Sequence, residues 1–354
     1  MPRSRARTYS PDAQRLIAVR YILFCLLTLT SLSAPAEWYS REEAIMGTAV
    51  RVELWHDDAT AARAAMSAVM DEMHRIDELM SPYKPDSELS RINREAAQKP
   101  VPISQEMFDL IARSIEFSKL SGGAFDITFS SVGYLYDYRE HVKPTDAQIA
   151  KALPGISYRH LRLDPRARTI RYDRAGVRID LGGIAKGYAV DNCITILKGR
   201  GITNAIVTAG GDSRLLGDRR GRPWNVGIRD PRRRGEVVAV LPLADTAIST
   251  SGDYERFFEE DGVRYHHIIN PKTGKSAKGV RSVTVIAPDG ITTEGLTKSV
   301  FVKGPKEGMR LIESLKGVDA IIIDDAGHML YSPGLRDAVR DKPASATPNI
   351  GTPH

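Results

Sequence analysis

The spacing of apolar residues changes period along this chain, and each change marks an element. From Glu43 to Leu54, Ile45, Val50, Val52 and Leu54 fall near alternate positions, which predicts an entry strand running through Met46-Gly47-Thr48. Thr60 to Met80 then carries Ala62, Ala65, Met66, Val69, Met73, Ile76 and Met80 at spacings of three and four. That predicts an amphipathic helix whose methionines belong to the core, stopped at Ser81-Pro82. A second helix is predicted from Ser104, a suitable N-cap, to Leu120, with Phe108, Ile111, Ile115 and Leu120 facing inward. Val132 to Asp146 is aromatic without a period and predicts a loop or lid, and short strands are predicted at Ser157 to Leu163 and Thr169 to Tyr172.

The most informative stretch is Arg178 to Asp191. The alternation of Val177, Ile179 and Leu181 gives way to Gly182-Gly183 and then to Ala185, Ala189, Val190, Ile194 and Leu197 at helical spacing. The pattern predicts strand, turn and helix start. Such a turn serves either close packing or the approach of a phosphate to unpaired helix amides, where Lys186 would add charge. The strand Asn204 to Thr208 completes a β-α-β order, but no G-x-G-x-x-G follows the first strand, which excludes a dinucleotide-binding Rossmann unit. Beyond it, strands are predicted at Trp224 to Ile228, Val237 to Leu243, Ala247 to Ser251, Tyr265 to Ile269, Val280 to Ala287 and Ala320 to Ile323. Helices are predicted at Thr292 to Val302 and Pro305 to Leu315, and residues 334–354 read as a disordered polar tail.

Charge and composition add a leader to this picture. Arg3, Arg5, Arg7, Arg15 and Arg20 precede the apolar run Tyr21 to Leu32 and the A-x-A site Ala34-Pro35-Ala36. This predicts a secretory signal peptide over residues 1–36, an exported, periplasmic protein, and one domain over 37–333, with membrane tethering only if the leader is retained. The leader's five arginines and one aspartate hold +4 of the chain's +6, leaving a nearly neutral remainder of +2. The short Arg229 to Arg234 cluster is broken by Asp230 and Pro231, so no nucleic-acid partner is expected. Of two cysteines only Cys193 lies outside the leader, so no internal disulfide is expected.

Single residues suggest chemistry with a plain alternative beside each. Tyr83, on a loop stiffened by Pro82 and Pro85, could offer a ring face to a flat ligand or pack on its own loop. Asp126, after Gly122-Gly123-Ala124-Phe125, could accept a ligand N–H or cap a turn.

Taken in order, MGT at Met46, MSPY with SELSRIN, GGAFDIT at Gly122, DLGGIAKGYAVD at Asp180, AGGD at Ala209, WNVGIRDP at Trp224, STSGDYERFF at Ser249 and HIINPKTG at His267 resemble the ApbE-type FAD:protein FMN transferases over nearly the whole chain beyond the leader. The resemblance implies an α+β fold with an antiparallel-rich sheet and packed helices. It also implies transfer of FMN from FAD to a Thr or Ser hydroxyl of an exported flavoprotein acceptor, with release of AMP, or hydrolysis of FAD instead. It places Met46, Tyr83, Ala124, Phe125, Asp126, Asp180, Lys186 and Ile268 at the FAD, with His267 beside the reacting groups. It also implies magnesium, held in part by a carbonyl near Gly183.

One motif departs from that family. Where its metal helix carries an aspartate and, four residues on, a threonine, this chain has Glu294 and Lys298. An ammonium cannot ligate magnesium, and the pair has the i, i+4 spacing of a helix ion pair. Two arrangements follow: Lys298 stands where the metal would, or Glu294 holds a metal while Lys298 turns to solvent. Four readings remain open with them: transfer, hydrolysis of FAD, FAD or FMN binding without transfer, and a structural role in an electron-transfer complex.

Overall fold

The structure, a computed structural model, describes residues 37–340, so the predicted leader and residues 341–354 lie outside it. Strand β1 (Glu37–Ile45) turns back on β2 (Thr48–His56) as an antiparallel hairpin. The single predicted entry strand is therefore two. Met46 (φ 55°) and Gly47 (φ 69°) are both left-handed, which gives a two-residue turn the twist its strands need. Met-Gly is a rare way to write that turn, which hid it in the sequence.

Helix α1 (Ala59–Met80) follows the predicted span, capped by Asp58, whose carboxylate accepts from Thr60 and Ala61 amides. Next come α2 (Glu88–Glu95) and α3 (Gln105–Leu120), the latter capped by Ser104 as predicted. The inner face of α3 is rotated from the prediction: Met107, Leu110, Ile111 and Phe117 are buried while Leu120 is exposed. Ser114 and Ser118 share that buried face, their hydroxyls donating to the Leu110 and Ser114 carbonyls, so polar residues masked the stripe.

The predicted β-α-β order is not formed. Val177 to Leu181 joins no sheet; Asn93 substitutes for a ladder partner, its Oδ1 accepting from Ile179 N at 2.8 Å and its Nδ2 donating to Ile179 O at 2.9 Å. The alternation there records buried side chains on an extended loop. Helix α4 (Ala185–Gly199) follows the turn, and then come β3 (Ala205–Ala209), β4 (Asp212–Leu216), β5 (Ala247–Gly252), β6 (Val280–Ala287), α5 (Gly290–Glu313), β7 (Asp319–Asp324) and β8 (Met329–Tyr331). Strands β1 to β8 form one sheet in chain order, every neighbour antiparallel.

Helices α1, α4 and α5 cover one face of this sheet over the main core. The other face is covered by the hairpin Trp224–Arg229 and Val237–Leu243, around Leu215, Ile248 and Ile321. The two predicted C-terminal helices are the halves of α5, broken at Gly304 (φ 80°, ψ 176°) before Pro305. The expected tail from 334 begins instead in a helix, Pro333–Arg340, seated by Leu335 and Arg336 amides donating to Ser332 O. In the predicted loop the aromatics stack, Tyr136 on Tyr138 and Tyr138 toward Phe258. No described helix is long and apolar enough to cross a membrane.

Candidate active site

The start of β4 and the first turns of α4 and α5 meet at one point. The first turns of the two helices touch backbone to backbone: a Cβ on Gly187 would lie 2.2 Å from Gly290 O, and one on Gly290 would lie 2.5 Å from Gly187 O. This closeness lets Glu294 of α5 reach across to α4. Its Oε2 accepts from Gly187 N at 2.8 Å and its Oε1 binds Lys186 Nζ. Lys186 Nζ also meets Asp212 Oδ2 at 2.8 Å. Ser249, paired with Asp212 across the β4–β5 ladder, donates to Asp212 Oδ1 at 2.5 Å. Lys298, one turn after Glu294, places Nζ 3.5 Å from Glu294 Oε1.

Four charges thus share one partly closed space, with side-chain exposures of 0% for Glu294, 3% for Asp212, 20% for Lys186 and 18% for Lys298. Burial opposes the charge on Lys186, yet the Asp212 and Glu294 carboxylates outweigh it and hold the ammonium pKa above its ordinary value. Burial likewise opposes ionised Asp212, but Lys186, Lys298 and the Ser249 hydroxyl bring its pKa below the usual range. For Lys298 burial prevails over its one long contact, and the pKa is lowered.

Around this quartet lie most of the residues picked out in the sequence. A Cβ on Gly183 would sit 3.5 Å from the Phe125 ring and 3.6 Å from Lys298 Cγ, so glycine turn, aromatic and lysine are in contact. Asp180 accepts from Gly182 N at 2.6 Å; burial raises its pKa against that bond and the positive field of Arg256 and Lys186. His267, its Nδ1 buried and unpartnered among the described residues, has its pKa pushed down to about 3, first by burial and then by Lys298. Met46 and Gly47 form the adjoining turn, where Arg256 donates to Gly47 O at 3.4 Å. Tyr83 stands 84% exposed within the electrostatic reach of Asp180 and Arg256.

Three of the expected residues also make contacts within the protein. Asp126 is spent within the protein: Oδ1 accepts from Thr128 N and Oγ1 and Oδ2 from Tyr158 N at 2.7 Å, so it caps and anchors its loop. Ala124 is buried beside it, and Ile268 belongs to the core, its carbonyl accepting from Ala277 N. The helix-start amides expected to suit a phosphate are partly taken, Gly182 N by Asp180 and Gly187 N by Glu294.

The residues do not fit magnesium. Both Glu294 oxygens are engaged by Lys186, Lys298 and Gly187, and the Lys298 chain runs past Gly183, whose carbonyl was the other expected ligand. Among the described residues no set of three or more His, Cys, Asp or Glu is gathered to hold a metal. Magnesium requires about six oxygens at roughly 2.1 Å, which a carboxylate pair neutralised by two lysines does not offer.

Asp212, Ser249, Thr297 and Arg256 were not singled out from the sequence. Ser251 donates to Thr297 Oγ1 at 3.1 Å, and Thr297 donates to Glu294 O at 2.8 Å, tying β5 to the helix that carries the quartet. Asp212 and Arg256 stood inside motifs quoted for resemblance, but only the fold brings them to Lys186 and to the Gly47 turn.

Comparison with known proteins gives a consistent result. The model of the ApbE family matches residues 46–322. An FAD:protein FMN transferase of Treponema pallidum is 34% identical over 344 residues, covering 92% of this chain and 95% of its own. The crystal structure of the apbe protein from Thermotoga maritima superposes with a TM-score of 0.79 at 34% identity, covering 85% of this chain and 98% of the other. The flavin transferase ApbE from Vibrio cholerae superposes with a TM-score of 0.76 at 30% identity, covering 86% and 99%.

Proposed function

This chain belongs to the ApbE family, and from that premise we infer that it is an FAD:protein FMN transferase, moving FMN from FAD to a hydroxyl of a flavoprotein acceptor. The observation that carries the reading is that the Gly182-Gly183 turn, Phe125, Lys298 and the Lys186–Asp212–Glu294 cluster meet at one place, with His267 within the field of Lys298.

In the reaction the acceptor oxygen bonds to the phosphorus on the FMN side while the bridging P–O bond breaks. Its electron pair leaves with AMP, and the hydroxyl proton is lost. Lys298 and Arg256 face the negative charge of the pyrophosphate and Tyr83 offers a ring to a flat group, which favours holding phosphorus and hydroxyl in line. His267 is neutral across the physiological range and takes the proton; the pyrophosphate, by countering the Lys298 field, raises its basicity when it binds.

The acceptor residue is Thr or Ser, as the family resemblance implies, and the acceptor is exported, which the basic, apolar and A-x-A pattern of residues 1–36 in this chain supports. The test is to mix the protein, FAD and a purified exported flavoprotein. Covalent gain of one FMN on an acceptor Thr or Ser, with one AMP released, supports the reading. AMP and free FMN without acceptor gain would make the protein an FAD hydrolase, and bound FAD that stays intact would make it a binding protein.

A further inference from the structure

We infer that the Lys298 ammonium is a built-in substitute for a divalent cation, so that this protein binds and cleaves FAD without a metal. The inference rests on FAD being the substrate, and it deepens that reading by assigning the charge that faces the pyrophosphate.

The two lysines of the quartet are used differently. Lys186 Nζ meets Asp212, Glu294 and, at 3.5 Å, Gly182 O, so its three N–H groups all have acceptors. Among the described residues Lys298 Nζ has one polar contact, at 3.5 Å, to a Glu294 oxygen already held by Lys186. A largely buried cation with unspent donors is costly unless a ligand completes it. Its side chain runs beside Gly183, which the Phe125 ring also approaches, and its charge reaches His267, so it faces the same site.

Charge balance leads to the same assignment. Within the quartet Asp212 and Glu294 are matched one for one by Lys186 and Lys298, and the neighbouring carboxylate of Asp180 is engaged by Gly182 N. The pyrophosphate of FAD brings two negative charges, and a lysine supplies only one positive. Arg256 supplies the second: it forms no ion pair with a carboxylate among the described residues, lies against Gly47 O, and acts on Asp180, Tyr83 and His267. An inner ammonium and an outer guanidinium thus make a clamp of two fixed charges. Both suit phosphate oxygens, the first as a point charge and the second as a fork.

The experiment titrates the purified protein with FAD by flavin fluorescence, once in EDTA and once in excess Mg²⁺, with riboflavin as the phosphate-free control. The expected result is FAD affinity equal within about twofold in the two conditions, with transfer to the acceptor proceeding in EDTA. Lys298→Met, its fold checked by circular dichroism, is expected to weaken FAD at least about tenfold and leave riboflavin unchanged, since a charged hydrogen bond is lost only to the phosphates. The double variant Glu294→Asp with Lys298→Thr is expected to make FAD binding depend on Mg²⁺. Wild-type binding or transfer that EDTA abolishes and Mg²⁺ restores would overturn the inference and leave the transferase reading standing. Absence of FAD binding in both conditions would overturn both.

Discussion

Lys186 is the residue on which two buried carboxylates depend. Replacing it with Met leaves Asp212 and Glu294 facing one loosely held ammonium, and uncompensated buried charge costs about 3–5 kcal/mol. Urea unfolding of Lys186→Met should show a loss of that order. Tyr83 is the opposite case, because 84% exposure leaves the fold indifferent to it. Tyr83→Ala should unfold within about 0.5 kcal/mol of wild type. Its FAD affinity should fall roughly tenfold through the lost ring contact, as read by fluorescence titration. Asp191 illustrates a pH effect away from the cleft. Its carboxylate accepts from Gly290 N at 2.8 Å and Ile291 N at 3.0 Å, yet burial pushes its pKa up to about 6. A raised acid pKa means the folded state holds the proton more tightly. The associated stability is complete below the ordinary value of 3.8 and is lost as pH rises through about 6. A rise of that size corresponds to about 3 kcal/mol. Asp191→Asn, which mimics the protonated acid, should therefore lose less stability than wild type between pH 4.5 and 7.5 when melting is compared at both.

Among the elements, the crossing of α4 and α5 decides whether the site exists. Gly187→Ala would drive a methyl group into Gly290 O, part the helices and release Glu294 from Gly187 N. A loss of about 3 kcal/mol in denaturant unfolding is expected, with FAD binding lost as well, because overpacking at a backbone contact leaves no side chain to yield. Legibility in the sequence followed the same division. Helix α1 was readable because its apolar spacing and its cap agree, whereas the face of α3 was not, since Ser114 and Ser118 bury their hydroxyls on carbonyls. The β1–β2 turn was missed for its unusual Met46, and Val177 to Leu181 passed as a strand because Asn93 stands in for a ladder. Glu294 and Lys298 were recognisable as an unusual pair from the motif. Their partner Asp212 was not, for nothing in a linear sequence links it to Lys186.

At the scale of the whole molecule, the basic, apolar and A-x-A pattern of residues 1–36 predicts cleavage after Ala36. N-terminal sequencing of the exported protein should begin at Glu37; a protein retained at full length in the membrane would contradict the reading. The sequence alone determined the family motifs, most helices and strands, and the pairing of Glu294 with Lys298 one helical turn apart. These are local: each depends on side-chain type and spacing within a few turns. Tertiary structure alone decided that Lys186, Asp212, Glu294 and Lys298 form one balanced cluster, that Asp126 serves its own loop, and that Arg256 stands at the rim. Those outcomes depend on a strand register and a glycine crossing that join residues distant in the chain, and charge balance has meaning only once the partners and their burial are known.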